Sequence, residues 1–205
     1  EISACLVGSE MCIRDRIATL SRNIDNVNHL YCIVQDKNGG IYEGEKGFAN
    51  NSSFGREAYD TERYSELEIE RVSRVAYELA NDSRRKLILA DKADKLTTSK
   101  LWRKIVADVN EDYPFVSVDM QDVTDVLKTI IKNPTTLDVV LSTSLFGDML
   151  AAVAKALSDY TPSISFVGDT PLAMYGFCTS DLLTISHSSV SSLIAFLLKN
   201  SFGIE

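Results

Sequence analysis

No run of 18 consecutive apolar residues occurs in this chain, so a membrane-spanning helix is excluded. The longest apolar stretch, Leu193 to Leu198, reads as a buried helix segment. Basic residues are outnumbered: 21 Lys and Arg against 29 Asp and Glu leave a formal net charge of −8. A nucleic-acid backbone requires a basic face, so nucleic acid is excluded as the main partner. Histidine is scarce. His29 and His187 lie far apart, with no Cys or Ser nucleophile motif beside either, and read as surface or packing residues. The four cysteines, Cys5, Cys12, Cys32 and Cys178, show neither metal-ligand spacing nor a paired framework. They read as free thiols of a reducing compartment, which points to the cytoplasm. Internal repeats and low-complexity tracts are also missing. What remains is an ordinary globular composition, 45% hydrophobic and 24% charged, in 205 residues that suffice for one or two domain cores.

The first sixteen residues, Glu1 to Arg16, have no periodicity, basic leader or long apolar core, so they are not a signal peptide. They look like translated sequencing-adapter DNA, and segment 1–16 is expected to be foreign to the protein. From Leu30 the pattern alternates between strands and helices. Leu30 to Val34 reads as a strand running into the Gly39-Gly40 turn, and Gly44 to Gly55 as a loop or two-stranded arm. Ile69, Val72, Ala76 and Leu79, at spacings of three and four, predict a helix capped at Asp60 or Thr61. Lys86 to Ala90 reads as a strand, and Thr98 or Ser99 as the cap of a helix that stops before Pro114. Further strands are expected at Phe115–Val118, Leu137–Leu141 and Ser163–Val167. Helices are expected over Val123–Lys132, Met149–Leu157 and Ser188–Lys199. Such alternation predicts an α/β fold with a mostly parallel sheet covered by helices. A polar turn over Ser158 to Pro162 marks the expected boundary between two units.

Three short motifs carry the chemistry. They are Gly39-Gly40-Ile41-Tyr42-Glu43-Gly44-Glu45, then Asp91-Lys92-Ala93 with Thr98-Ser99-Lys100-Leu101-Trp102-Arg103, and Phe146-Gly147-Asp148. They put a tyrosine, a lysine and an aspartate near the ends of expected strands, where α/β folds collect functional groups. Between them stand Glu57-Ala58-Tyr59-Asp60-Thr61-Glu62-Arg63-Tyr64 and Glu68-Ile69-Glu70-Arg71-Val72. In this order and spacing the set resembles the isocitrate/isopropylmalate (β-decarboxylating) dehydrogenase family, its isopropylmalate branch more than its isocitrate branch. The resemblance spans about Leu30 to Gly168.

The resemblance implies oxidation of a 2-hydroxy acid with NAD, loss of its β-carboxylate, use of Mg2+ or Mn2+, and a place in leucine biosynthesis. The chemistry needs a base for the hydroxyl proton, a cation on the hydroxyl and carboxylate oxygens, and an acid for the enol carbon. By resemblance Tyr42 matches the acid and Lys92 the lysine that assists proton abstraction. That lysine serves the partner subunit's site, so a homodimer, or a heteromer with a homologue, is implied, clasped by the Gly44–Gly55 arm. Residues 17–158 then correspond to the dimerisation and catalytic domain. Residues 159–205 correspond to part of the dinucleotide-binding domain.

Several positions depart from the family pattern. Asp148 remains of three metal aspartates; the position one helical turn later is Ala152, and the one lent by the partner aligns with Thr124. Asp122 and Asp125 flank that position, and a register change by one residue would bring in Asp125. The substrate-gripping arginine aligns with Gln35, which removes a bidentate charged clamp. The asparagine on the nicotinamide side is Asp94, and the NAD-binding loop shrinks to Tyr175–Asp181. The expectation is therefore a fragment of an isopropylmalate dehydrogenase-like NAD-dependent enzyme with impaired catalysis. The alternative is a non-catalytic or regulatory paralogue keeping the fold and the dimer interface.

Overall fold

The computed structural model of the chain describes residues 14–24, 26–51, 53–158, 163–167 and 174–177. Strands β1 (Arg14–Ile24) and β2 (Val27–Asp36) form a hairpin whose turn holds Asn26 at φ 64°. Asparagine tolerates that left-handed backbone, and so short a connection forces antiparallel pairing. An exposed ribbon follows, β3 (Lys46–Asn51) paired with β4 (Gly55–Asp60), so a two-stranded arm is present, but it runs to Asp60 instead of ending at Gly55. The order continues with helix α1 (Glu66–Asn81), β5 (Lys86–Asp91), α2 (Thr97–Asn110), β6 (Ser117–Asp122) and α3 (Val123–Lys132). A 3-10 turn (Pro134–Thr136), β7 (Val139–Ser142), α4 (Ser144–Ala156), β8 (Ser163–Val167) and β9 (Met174–Phe177) complete it.

Among the described residues, seven strands make one sheet in the order β6-β5-β7-β2-β1-β8-β9. β6, β5, β7 and β2 run parallel, as the alternating pattern requires, and β1, β8 and β9 extend the sheet with antiparallel pairings. Each central strand sends alternate residues to opposite faces. Val34, Leu89, Val139 and Leu141 meet Ile69, Val72, Ala76 and Tyr77 of α1 and Trp102 and Val106 of α2. On the other face Ile33, Ala90 and Val140 meet Val126 and Ile130 of α3 and Leu150 and Ala154 of α4. All four residues of β7 are buried, as expected for a strand covered on both sides. Among the described residues, no helix is long and apolar enough to cross a membrane.

Four local expectations are corrected. α1 is capped by Ser65 in a reciprocal box with Glu68, the Ser65 N–H donating to Glu68 Oε2 at 2.7 Å. Asp60 cannot cap it because it still belongs to β4. Neither Thr98 nor Ser99 caps α2: Thr98 donates to Glu62 at 2.6 Å, and the Ser99 hydroxyl accepts from the Lys92 N–H at 3.2 Å. β6 starts at Ser117, because residues 113–116 form a turn closed by the Val116 N–H donating to the Tyr113 carbonyl. α4 starts at Ser144, five residues before its expected beginning, which puts Phe146-Gly147-Asp148 inside its opening turns. The helix expected over Ser188–Lys199 lies outside the described residues.

Candidate active site

The parallel strands share a direction, so Asp36, Asp91, Asp122 and Ser142 all end at one edge of the sheet. Functional groups collect there in two sets. The first joins the end of β2 to the start of α4. Gln35, 1% exposed, donates through Nε2 to Asp148 Oδ1 at 2.9 Å, and Lys37 Nζ donates to the same oxygen at 2.7 Å. Gly147 makes this approach possible: a Cβ there would sit 2.6 Å from Gln35 Cβ. Tyr42 follows in the next turn, its ring centroid 6.0 Å from Lys37 Nζ. Burial raises the Tyr42 pKa, and the Asp148 carboxylate adds to the rise through its charge and a hydrogen bond. A tyrosine so placed keeps its proton until a stronger base appears, as a general acid must.

The turn carrying Tyr42 is fixed from below. The Gly39 N–H donates to Asp36 Oδ2 at 2.7 Å, and Arg71 holds the other Asp36 oxygen at 2.9 Å. Arg71 also bonds Asp15, which falls in the 1–16 segment expected to be foreign, so one guanidinium serves two buried carboxylates. Burial pushes the Asp15 pKa up to about 7 against the opposing pull of Arg71. Gly40 has φ +82°, and a Cβ there would run into Ser144 Oγ and Tyr64 Oη. Glycine is therefore required on both conformational and steric grounds. Tyr64 Oη accepts from the Ser144 N–H at 2.9 Å and donates to Ser144 Oγ at 3.1 Å, tying the turn to α4. Its pKa is pushed up to about 12, chiefly by burial.

The second set stands at the ends of β5 and β6. Lys92 Nζ bonds Asp122 and lies 3.8 Å from Asp94. The hydrogen bond to Asp122 raises the Lys92 pKa and, with the bonds from Thr124, holds the Asp122 carboxyl well below the usual range. Asp91, fully buried, takes a bidentate grip from Arg103 at 2.6 and 2.9 Å and so fixes the loop from which Lys92 projects. Asp122 also caps α3, accepting from the Thr124 N–H at 2.9 Å and from its hydroxyl at 2.7 Å. Asp125 faces outward and pairs with Lys128 at 2.7 Å; Asp94 is exposed, 3.9 Å from Lys95.

The structure thus brings Tyr42, Gln35 and Asp148 together and places Lys92 and Asp94 in a separate set, with β7 between them. Asp125 bonds to neither, though its charge adds to the rise of the Lys92 pKa. Lys37, Asp36 and Arg71 are site residues that motif reading did not assign. The only signal for Lys37 was its place between Gln35 and Tyr42. A cleft of about 320 Å3 opens on the far side of the Gly39-Gly40 turn, lined by Glu43, Arg63 and Glu68, but neither charged set lines it.

The donor set does not fit a divalent cation. Among the described residues, no three His, Cys, Asp or Glu side chains are grouped to hold one. Ala152, on the Asp148 face of α4, is exposed and offers no oxygen, while Asp148 Oδ1 already receives an ammonium and an amide. Of the run expected to hold the nucleotide, Tyr175 to Phe177 lie in β9, and the remainder to Asp181 lies outside the described residues.

The profile of the isocitrate/isopropylmalate dehydrogenase family matches residues 10–168, which is most of the chain. The chain belongs to that family. It is 42% identical over 172 residues to 3-isopropylmalate dehydrogenase of Staphylococcus epidermidis (strain RP62A), covering 84% of this chain and 47% of that one. With the enzyme of Novosphingobium aromaticivorans it shares 40% identity over 123 residues, 60% of this chain and 35% of the relative. The chain spans about half the length, or less, of the curated relatives it matches. In fold it resembles isocitrate dehydrogenase from Methylococcus capsulatus, with TM-score 0.66 and 24% identity over 80% of this chain and 50% of that one. A protein of Thermus thermophilus gives TM-score 0.72 at 17% identity, covering 90% of this chain and 40% of its own. The family takes its name from two dehydrogenases.

Proposed function

We propose that this chain is part of a 3-isopropylmalate dehydrogenase-like protein whose ancestral reaction is the NAD-dependent oxidative decarboxylation of a 2-hydroxy acid in leucine biosynthesis, and whose own catalysis is impaired. The observation that carries this is the set around Asp148. Tyr42 keeps its proton beside that carboxylate, as the enol-protonating step needs. The positions that would grip substrate and cation have changed: Gln35 donates an amide where the family uses a charged fork, and Ala152 has no oxygen. Lys92, spent on Asp122 and Asp94, is available to a neighbouring site only by breaking those pairs. NAD and Mg2+ or Mn2+ are the family's cofactors, and the donors around Asp148 on this chain do not suit the metal.

Association with a partner subunit is supported by a specific feature. The β3–β4 ribbon presents every residue of β4 to solvent, with Phe48 89% and Phe54 84% exposed. Exposed aromatic side chains on such a ribbon suit a partner subunit, either a second copy or a catalytic homologue. In this reading the protein is cytoplasmic, keeps the dimer surface and works through its partner. The test is a magnesium titration of the full-length protein with isopropylmalate and NAD, following NADH absorbance. No turnover alone, with activation of a co-expressed homologue, supports the proposal; turnover at ordinary magnesium concentrations sinks it.

A further inference from the structure

Asp148 is the one family metal aspartate kept at its aligned position, yet its nearest cation is covalently part of the chain. Lys37 Nζ and Gln35 Nε2 both donate to Oδ1, at 2.7 and 2.9 Å. A carboxylate oxygen has about two lone-pair sites, so Oδ1 is fully used by these two donors. The arrangement is held from three directions. Gln35 is buried in β2, Gly147 lets α4 pack directly on it, and the Asp36–Gly39 bond fixes the turn on the other side of Lys37. Lys37 and Asp148 are themselves about 70% covered.

From this geometry we infer that Lys37 is a built-in replacement for the divalent cation. Its ammonium pairs with Asp148, and the site holds its charge balance without Mg2+ or Mn2+. A divalent ion at Asp148 would have to expel Lys37, overcome its positive charge, and find its other oxygens where Ala152 offers none. Magnesium demands near-octahedral oxygen coordination, and one contested carboxylate is a poor start. The inference rests on the proposed function only for the expectation of a cation at Asp148. Turnover in the presence of a chelator would overturn that function and leave Lys37's role standing. Mn2+ bound at Asp148 without turnover would overturn the role of Lys37 alone.

The probe is Mn2+, titrated into the full chain while electron paramagnetic resonance follows the free ion and nuclear magnetic resonance follows the Gln35 side-chain amide. The wild-type chain should leave the free-ion signal undiminished and the Gln35 amide unbroadened. The variant K37M/A152D, which removes the ammonium and restores a carboxylate one turn on, should bind Mn2+ at least about tenfold more tightly, equivalent to about 1.4 kcal/mol. Broadening of the Gln35 amide in the wild type, lost in D148N, would overturn the inference. So would a folded K37M/A152D that binds no better than wild type. Should that variant not fold, the wild-type broadening experiment decides by itself.

Discussion

Replacing Gly147 by alanine isolates the contact that seats Asp148. Two effects oppose each other. Alanine inside a helix is worth about 1 kcal/mol over glycine, so on propensity alone Gly147→Ala stabilises α4. The new Cβ, however, would lie 2.6 Å from Gln35 Cβ and 3.1 Å from Gln35 Cδ and Oε1. Gln35 Cβ is anchored to the central part of the sheet and cannot swing aside, so α4 or β2 must shift. Overpacking of this kind costs about 1–3 kcal/mol. The net expectation is a loss of up to about 2 kcal/mol, a drop of roughly 4–8 °C in Tm at about 2–4 °C per kcal/mol for a chain of this size. The propensity term can be measured in the same helix with Ala152→Gly, since Ala152 is exposed. Thermal melts followed by circular dichroism give both values. If Gly147→Ala raises Tm by as much as Ala152→Gly lowers it, the close packing of α4 on Gln35 is refuted.

Arg71→Met should cost about 3–5 kcal/mol in a urea melt, because it strands Asp15 and Asp36 as buried unpaired carboxylates; a loss below about 1 kcal/mol would show that neither depends on it. Asp15 should give stability a pH slope. Its folded pKa of about 7 lies above the ordinary 3.8, so its contribution is fully present below about pH 4 and is lost as pH rises through 7. Urea midpoints between pH 5 and 8 should therefore fall with rising pH, with a shallower fall in Asp15→Asn; equal slopes would contradict the assignment. Asp122→Asn should lower the Lys92 pKa, since Asp122 is the largest cause of its rise, and an unchanged lysine titration by nuclear magnetic resonance would remove that pair from the site.

Much of this fold is legible in the sequence because its layers are written in periodicity. The stripe Ile69, Val72, Ala76 marks the buried face of α1, and the apolar run Val139–Leu141 marks a strand covered on both sides. Ends are harder to read, since several polar residues compete for each cap. Asp60 and Thr61 are as suitable by residue type as Ser65, and only the extension of β4 to Asp60 decides between them. β1 carries no long apolar run, so its pairing with β2 and β8 emerges only from the three-dimensional register. At the site, Tyr42, Gln35 and Asp148 could be found from linked motifs. Lys37 could not, because a lysine after a strand is ordinarily solvated and only the packing of α4 on β2 brings it to Asp148.

On the proposed reading, the site around Asp148 keeps its acid but has lost its clamp and its cation cage. The most direct test of that claim is NADH formation from isopropylmalate by the full-length protein and by a Q35R/K37L/A152D variant, over the same magnesium series. A flat wild-type response and magnesium-dependent turnover in the variant are the expected results. Magnesium-dependent turnover by the wild type, at the level of the variant or above, would contradict the claim.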